Sequence, residues 1–246
     1  MFYLLPHHYT ALVVGASGGI GAAIIQQLLS SSQLGHIITV SRKPSQIDHP
    51  RLTHLMLDVS QEQDRQALQN ALAARPVHFF FNAIGILHDE AKQLVPEKRL
   101  DQLSVENLTQ TMNINAFTPI LLLASLKDSF KGTHPTVIAS LSARVGSIED
   151  NQLGGWYSYR ASKAAHNMLL KTASIELKRL NKQCTVLCLH PGTTDTALSK
   201  PFQARVPNEK LFTPTFVAEQ WLEVIAQRTP DDNGTFWAWD GQPIEW

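Results

Sequence analysis

Ala11-Leu12-Val13-Val14-Gly15-Ala16-Ser17-Gly18-Gly19-Ile20-Gly21 decides the fold. The apolar run ending at Gly15 reads as a buried strand, and Gly19 to about Ser31 as a helix. Glycines let the backbone turn sharply between the two and approach a ligand closely. A helix starting there offers free N–H groups and the positive end of its dipole, which suit a pyrophosphate. The spacing is Gly-x-x-x-Gly-x-Gly rather than the commoner Gly-x-Gly-x-x-Gly. The glycines could also serve only a tight strand–helix joint. Their place at the first strand of an alternating chain favours the phosphate reading.

The alternation continues outward. HIITVS (36–41), THLMLD (53–58), VHFFFN (77–82), PTVIASLS (135–142), CTVLCLH (184–190) and TFWAWD (235–240) read as strands. Helices are expected from about Gln61, over 105–130 with a kink at Pro119, over Tyr157–Leu180, and over Pro214–Arg228. Apolar strands separated by helices imply an α/β protein. Its doubly wound parallel sheet of about seven strands would carry helices on both faces. No repeat or linker divides it, so 1–246 reads as a single domain. The least regular segments, Leu87–Asp101 and Thr193–Thr213, follow strands whose carboxyl ends should face a ligand crevice.

Composition excludes several classes. Acidic and basic residues balance at 21 each in 246 residues, so no charge excess points to nucleic acid or a membrane surface. No apolar run reaches the length of a membrane span, and MFYLLPHHYT (1–10) does not resemble a secretion signal. Cys184 and Cys188 share one strand, too far apart along it for a disulfide. A reduced, cytoplasmic protein is expected. No cluster has metal-ligand spacing.

Two places carry chemistry. At the end of the second strand, an acidic residue would hold a ribose 2′-hydroxyl, whereas an arginine would favour a 2′-phosphate. This chain has Ser41-Arg42 there, which favours NADP(H) over NAD(H). Asp58, after the third strand, could accept a hydrogen bond from an adenine amino group or cap a helix, a job for which Ser60 competes. Further on, Tyr159 and Lys163 lie four residues apart in a helix and share one face. A nearby ammonium favours ionised tyrosine, so the phenol is expected to be tuned below its usual value of about 10 and to act as a general acid.

In order along the chain stand GASGGIG, Asp58-Val59, Asn82-Ala83-Ile84-Gly85, Asn115, a serine after the fifth strand, Tyr159-xxx-Lys163, and Pro191-Gly192 followed by Thr196. With these the sequence resembles the short-chain dehydrogenase/reductase family, in its single-domain branch with a Rossmann fold. SARVGSI (142–148) and GGWYSYRASKAA (154–165) are similar to the C-factor or C-signal-like subgroup and to sniffer-type carbonyl reductases. The resemblance implies reversible reduction of a carbonyl to an alcohol. Tyr159 would donate the proton, Lys163 would tune it and reach the nicotinamide ribose, Ser142 would hold the substrate oxygen, and Asn115 would position a water. Gly15, Ser17, Gly18, Gly19, Ile20, Gly21, Val59, Asn82, Ala83 and Gly85 would border the cofactor. Pro191, Gly192, Thr194 and Thr196 would cradle its nicotinamide and phosphates. Homodimers or homotetramers through the two long helices are implied.

Two departures from the family pattern stand out. Its serine usually lies three residues before a glycine. Counting back from Gly146 reaches Ala143, so either the loop has an extra residue or Ser140 or Ser142 reaches in; Ser142 is the choice. The usual Asn-Asn-Ala-Gly is Asn82-Ala83-Ile84-Gly85. Near the site, Tyr157 reads as a packing or substrate-contact residue. Asn113 competes with Asn115, but the family pattern and the following Ala116-Phe117-Thr118-Pro119 favour Asn115, and His166 and His190 read as satisfied histidines. Substrate loops are expected at 87–101, 147–157 and 193–213. They contribute Leu87, His88, Ile148, Leu153, Trp156, Leu198 and Phe202, which suit a hydrophobic ketone, aldehyde or quinone. The Pro-interrupted 193–213 segment would form a mobile lid. A cofactor-binding signalling protein is the competing reading. An epimerase or dehydratase is disfavoured because the C-terminal region is too short for a separate substrate domain.

Overall fold

The computed structural model describes residues 4–246, so the first three residues of the segment read for a secretion signal lie outside it. Strand β1 (Tyr9–Val14) leads into α1 (Gly19–Ser30), followed by β2 (Leu34–Ser41), β3 (Leu52–Met56), α2 (Glu62–Leu72) and β4 (Phe79–Asn82). Next come α3 (Val105–Met112), α4 (Thr118–Ser125), α5 (Lys127–Phe130), β5 (Thr136–Leu141), α6 (Tyr157–Leu180) and β6 (Cys184–His190). The chain ends with β7 (Thr193–Thr194), β8 (Leu211–Phe212), α7 (Pro214–Ala226) and β9 (Thr235–Ala238). Seven strands form one sheet in the order β3-β2-β1-β4-β5-β6-β9. All its pairings are parallel. Strand order reverses between β1 and β4, which places a crevice at their carboxyl ends.

The β4 sequence shows why both faces are covered. Successive strand residues point to opposite faces. Phe79 and Phe81 join the core beneath α1 and α7, with Ile24, Leu28 and Trp221. Phe80 joins the opposite core, with Leu122, Phe130 and Leu170. Burying each such side chain stabilises the fold by about 1.5–3 kcal/mol. Helix α1 buries Ile20, Ile24 and Leu28, a spacing that keeps one stripe on the sheet.

Two expectations sharpen. The helix foreseen over 105–130 is broken: between α3 and α4, Asn113–Phe117 forms a wide π-type turn. Pro119 is the cause. It has no N–H, and its ring would clash with a carbonyl four residues back. The ladder slips just before it, and the Thr118 N–H reaches the Asn113 carbonyl five residues back. The Thr118 hydroxyl donates to the same oxygen at 2.7 Å. The 193–213 segment, expected to be among the least regular, has local order. Its ends pair as β7 and β8, and short helical turns fill the interval.

Candidate functional site

The glycine turn is built by close approach. Gly15 has φ +85°, and a Cβ there would lie 2.9 Å from the Ala83 carbonyl carbon of the neighbouring loop. A Cβ on Gly21 would meet the Gly15 oxygen at 2.3 Å, so the first turn of α1 rests directly on the loop. Ser17, Gly18 and Gly19 are exposed, whereas Ile20 is buried beneath them. Gly18 precedes the helix with no side-chain cap, and the first turn carries no acidic residue. The Gly18 N–H is taken by the Gly15 carbonyl at 3.1 Å, but no side chain meets the positive end of the helix behind it, which fits a phosphate group. The Thr196 methyl lies 3.1 Å from where a Gly19 Cβ would stand, so the 193–213 segment closes over the helix start.

The adenosine side follows from the ends of β2, β3 and β4. Ser41 is buried and donates its hydroxyl to the Lys43 carbonyl at 2.6 Å. This turn leaves Arg42 exposed at the strand end. Asp58 accepts from the Ser60 N–H at 3.1 Å and hydroxyl at 2.7 Å through Oδ1. Neither residue caps α2, which starts behind Gln61. Val59 is buried, and its carbonyl accepts from Arg65 at 2.9 Å. Asn82 is buried: its amide donates to Ser140 Oγ at 2.8 Å, and its oxygen accepts from the Ile84 N–H at 3.2 Å. It shapes the loop with its side chain and leaves Ala83 and Gly85 at the crevice.

Gly85 marks where the distant pieces meet. A Cβ built on it would have Asn115 Oδ1 and Lys163 Nζ at 3.7 Å and Leu198 at 3.8 Å. Asn115 sits in the π-type turn and is fully buried. Its Oδ1 accepts from the Ile86 N–H at 2.7 Å. Its amide donates to the Ile86 carbonyl and to Ser162 Oγ, both at 2.9 Å. The wide turn is thereby tied to the loop after β4 and to α6. Asn113, its competitor, is exposed.

Tyr159 and Lys163 are both buried on α6. The ammonium donates to the Leu141 carbonyl at 2.9 Å and stands 5.9 Å from the centre of the Tyr159 ring. Burial brings Lys163 down from 10.5 to about 8, partly opposed by Cys188 on β6. Burial pushes the Tyr159 phenol up rather than down. The expected downward tuning by the lysine is thus reversed: burial, which disfavours the phenolate, is the dominant influence on Tyr159.

The Ser142 hydroxyl is engaged within the fold. The residue is buried, and its hydroxyl donates to Asn167 Oδ1 at 2.5 Å. Ser140 is likewise spent, on Asn82 and on His166 Nε2 at 3.1 Å. Residues 140 and 142 share a face by the strand's period of two, and that face packs on α6. Ala143 follows in extended geometry and is half-buried. Burial holds His166 and His190 neutral, and His190 falls to about 3. His190 Nδ1 accepts from the Arg144 N–H at 3.1 Å. Tyr157 is half-buried.

Beyond Gly192 (φ +68°), whose Cβ would strike the Phe212 ring at 2.7 Å, Thr194 is buried with its hydroxyl 3.4 Å from the Pro191 carbonyl. Aromatic rings line the approach to Tyr159. Trp156 lies 6.2 Å from it and 5.1 Å from Phe202, which lies 5.8 Å from His88. His88 is fixed by its Nε2 at 3.1 Å from the Ala197 carbonyl. Of the other expected substrate residues, Leu198 lies 3.8 Å from where a Gly85 Cβ would stand. Leu87 is buried, and Leu153 and Ile148 stand in solvent, 92% and 77% exposed. Sequence reasoning missed Glu97, Ser162 and Asn167. Their partners lie up to 61 residues away, and no local pattern marks them.

The description "short chain dehydrogenase" belongs to the family whose model matches residues 9–207. A 1-hydroxy-2-glutathionyl-2-methyl-3-butene dehydrogenase of Rhodococcus sp. (strain AD45) is 30% identical over 242 residues, covering 96% of this chain and 99% of that protein. The C-signal protein of Myxococcus xanthus is 31% identical over 147 residues, 60% of this chain and 83% of that one. An NADPH-bound carbonyl reductase from chicken fatty liver superposes with a TM-score of 0.84 at 24% identity, covering 98% of this chain and all of that one.

Proposed function

The chain belongs to the short chain dehydrogenase family of oxidoreductases, and from that premise we propose that it is an NADPH-dependent carbonyl reductase, reversible as an alcohol dehydrogenase. The observation that carries the reading is the buried Tyr159–Lys163 pair, gathered with Asn115 and Gly85 at the switch point of the sheet. The residues present fit a dinucleotide: an uncapped helix start with exposed glycines, bordered by Arg42, Asp58, Gly85, Gly192 and Thr196. When bound, the cofactor supplies the hydride.

The chain's own residues supply the proton and the fit. A phenol pushed up by burial stays protonated near neutrality, ready to donate to the carbonyl oxygen as it becomes an alkoxide. Lys163 stabilises the phenolate that results, and Asn115 fixes the floor beneath it. Arg42 would pair with a 2′-phosphate, which favours NADPH over NADH. Trp156, Phe202 and His88 favour a flat hydrophobic ketone, aldehyde or quinone. The substrate loops remain 87–101, 147–157 and 193–213, within one domain.

Exposed Val105, Phe117 and Leu121 on the α3–α4 side, with Met168 and Ile175 on α6, support a homodimer or homotetramer. Free Cys184 and Cys188 agree with the cytoplasm. Among the described residues no helix is long and apolar enough to cross a membrane. NADPH should raise the melting temperature more than NADH. Tyr159→Phe should abolish turnover of aldehydes, ketones and quinones while NADPH still binds; retained turnover sinks the role of the tyrosine. The likeness to C-signal favours a second reading, a cofactor-binding signalling protein. NADPH binding without oxidation across a broad carbonyl panel would move the weight there.

A further inference from the structure

We propose that Glu97 is the positioning residue that sets Tyr159 and the substrate wall, by clamping the start of α6. The proposal rests on the reductase reading above. Gly154, Gly155 and Trp156 are consecutive left-handed residues, with φ of +63°, +67° and +53°. Glycines adopt that conformation freely, but a tryptophan does so only when its surroundings impose it. Glu97 imposes it from inside. Its carbonyl accepts the Trp156 N–H. Its carboxylate accepts the Ser158 N–H at 3.0 Å through Oε2 and the Ser158 hydroxyl through Oε1.

The carboxylate is buried, with the residue only 2% exposed, and it forms no ion pair among the described residues. The charge is instead met by the N-terminus of α6, a 24-residue helix whose free N–H groups and dipole attract it. From outside, Arg160 donates to the Gly155 carbonyl at 3.0 Å and the Gly154 carbonyl at 3.1 Å. The turn is thus gripped from both sides.

The consequence is geometric. Tyr159 follows the clamped Ser158 directly, whereas Lys163 is anchored one turn deeper on Leu141. Releasing the clamp shifts the phenol while the ammonium stays in place, so their alignment fails. It also frees the Trp156 ring from its contacts with Tyr159 and Phe202. Glu97 therefore acts on proton transfer through Tyr159 and on bulky substrates through Trp156.

The test compares Glu97→Ala and Glu97→Gln with wild type in three measurements. These are hydrogen exchange of residues 154–160 without nucleotide, NADPH affinity, and kcat and KM on benzaldehyde and on propanal. Glu97→Ala should raise exchange across 154–160 and lower kcat on both aldehydes by about tenfold or more. It should raise KM for benzaldehyde more than for propanal, with NADPH affinity within about twofold. Glu97→Gln keeps an acceptor for the Ser158 N–H and should recover most of the loss. Unchanged exchange in both variants, equal losses in alanine and glutamine, or KM rising alike for both aldehydes would overturn the proposal. If wild type reduces neither these aldehydes nor any other carbonyl, the reductase reading fails alone. The exchange pattern still decides the clamp.

Discussion

Replacing Lys163 with methionine separates what the lysine does for chemistry from what it costs the fold. The ammonium is buried, and its folded value falls from 10.5 to about 8. That gap corresponds to about 3 kcal/mol, at 1.36 kcal/mol for each factor of ten in proton affinity. The sign follows from where the proton sits. Below pH 8 both folded and unfolded chains hold it, and stability does not vary on its account. Between about 8 and 10.5 the unfolded chain still binds the proton while the folded chain has released it, so this group makes stability rise with pH. Tyr9, Cys184 and Cys188, which burial pushes up to about 12, act in the opposite sense, as does Tyr159.

The informative quantity is therefore wild type minus Lys163→Met, which removes most of these contributions. Urea unfolding of both proteins without nucleotide, from pH 7.5 to 10.5, is the assay. Wild type should gain about 3 kcal/mol on the variant across that range, equivalent to about 6–12 °C in melting temperature for a chain of this size. The methionine variant should turn over no carbonyl at any pH. Wild-type reduction should decline as pH rises through about 8, because the ammonium beside the phenol is lost. A stability difference flat to within about 0.5 kcal/mol, or one of opposite sign, refutes the argument.

Other outcomes follow from single contacts. Ser142→Ala strips Asn167 Oδ1 of its buried donor, which costs about 1–3 kcal/mol and lowers the melting temperature by about 2–12 °C. Turnover should stay within about threefold of wild type, and loss of a hundredfold would return the serine to the reacting centre. Arg42→Asp should weaken NADPH binding at least about tenfold while leaving NADH binding level or tighter; an unchanged ratio of the two affinities in a fluorescence titration would reject the phosphate contact. Gly21→Ala forces a Cβ to within 2.3 Å of the Gly15 oxygen. Thermal shift should then show a lowered melting temperature and no further response to NADPH, and a normal response would mean that the turn opens freely.

The sequence by itself determined the order of strands and helices, the parallel sheet and the glycine turn. Hydrophobic periodicity and glycine placement act over a few residues, and they are printed in the chain. Helix α6 runs over Tyr157–Leu180 as its pattern indicates, and Phe79, Phe80 and Phe81 alternate between the two cores as strand geometry requires. Family spacing also brought Asn115 and the Tyr159–Lys163 pair to notice, and the fold gathers them around Gly85.

Only the tertiary structure decided the direction of Ser142, whose partner Asn167 stands 25 residues on. It alone revealed Glu97, whose partner Ser158 lies 61 residues away. It also reversed the expected tuning of Tyr159, because four-residue spacing reports that an ammonium is near but not that both groups are buried. A hydroxyl's partner and the desolvation of a charge depend on what the rest of the chain packs against them, and no local pattern carries that information.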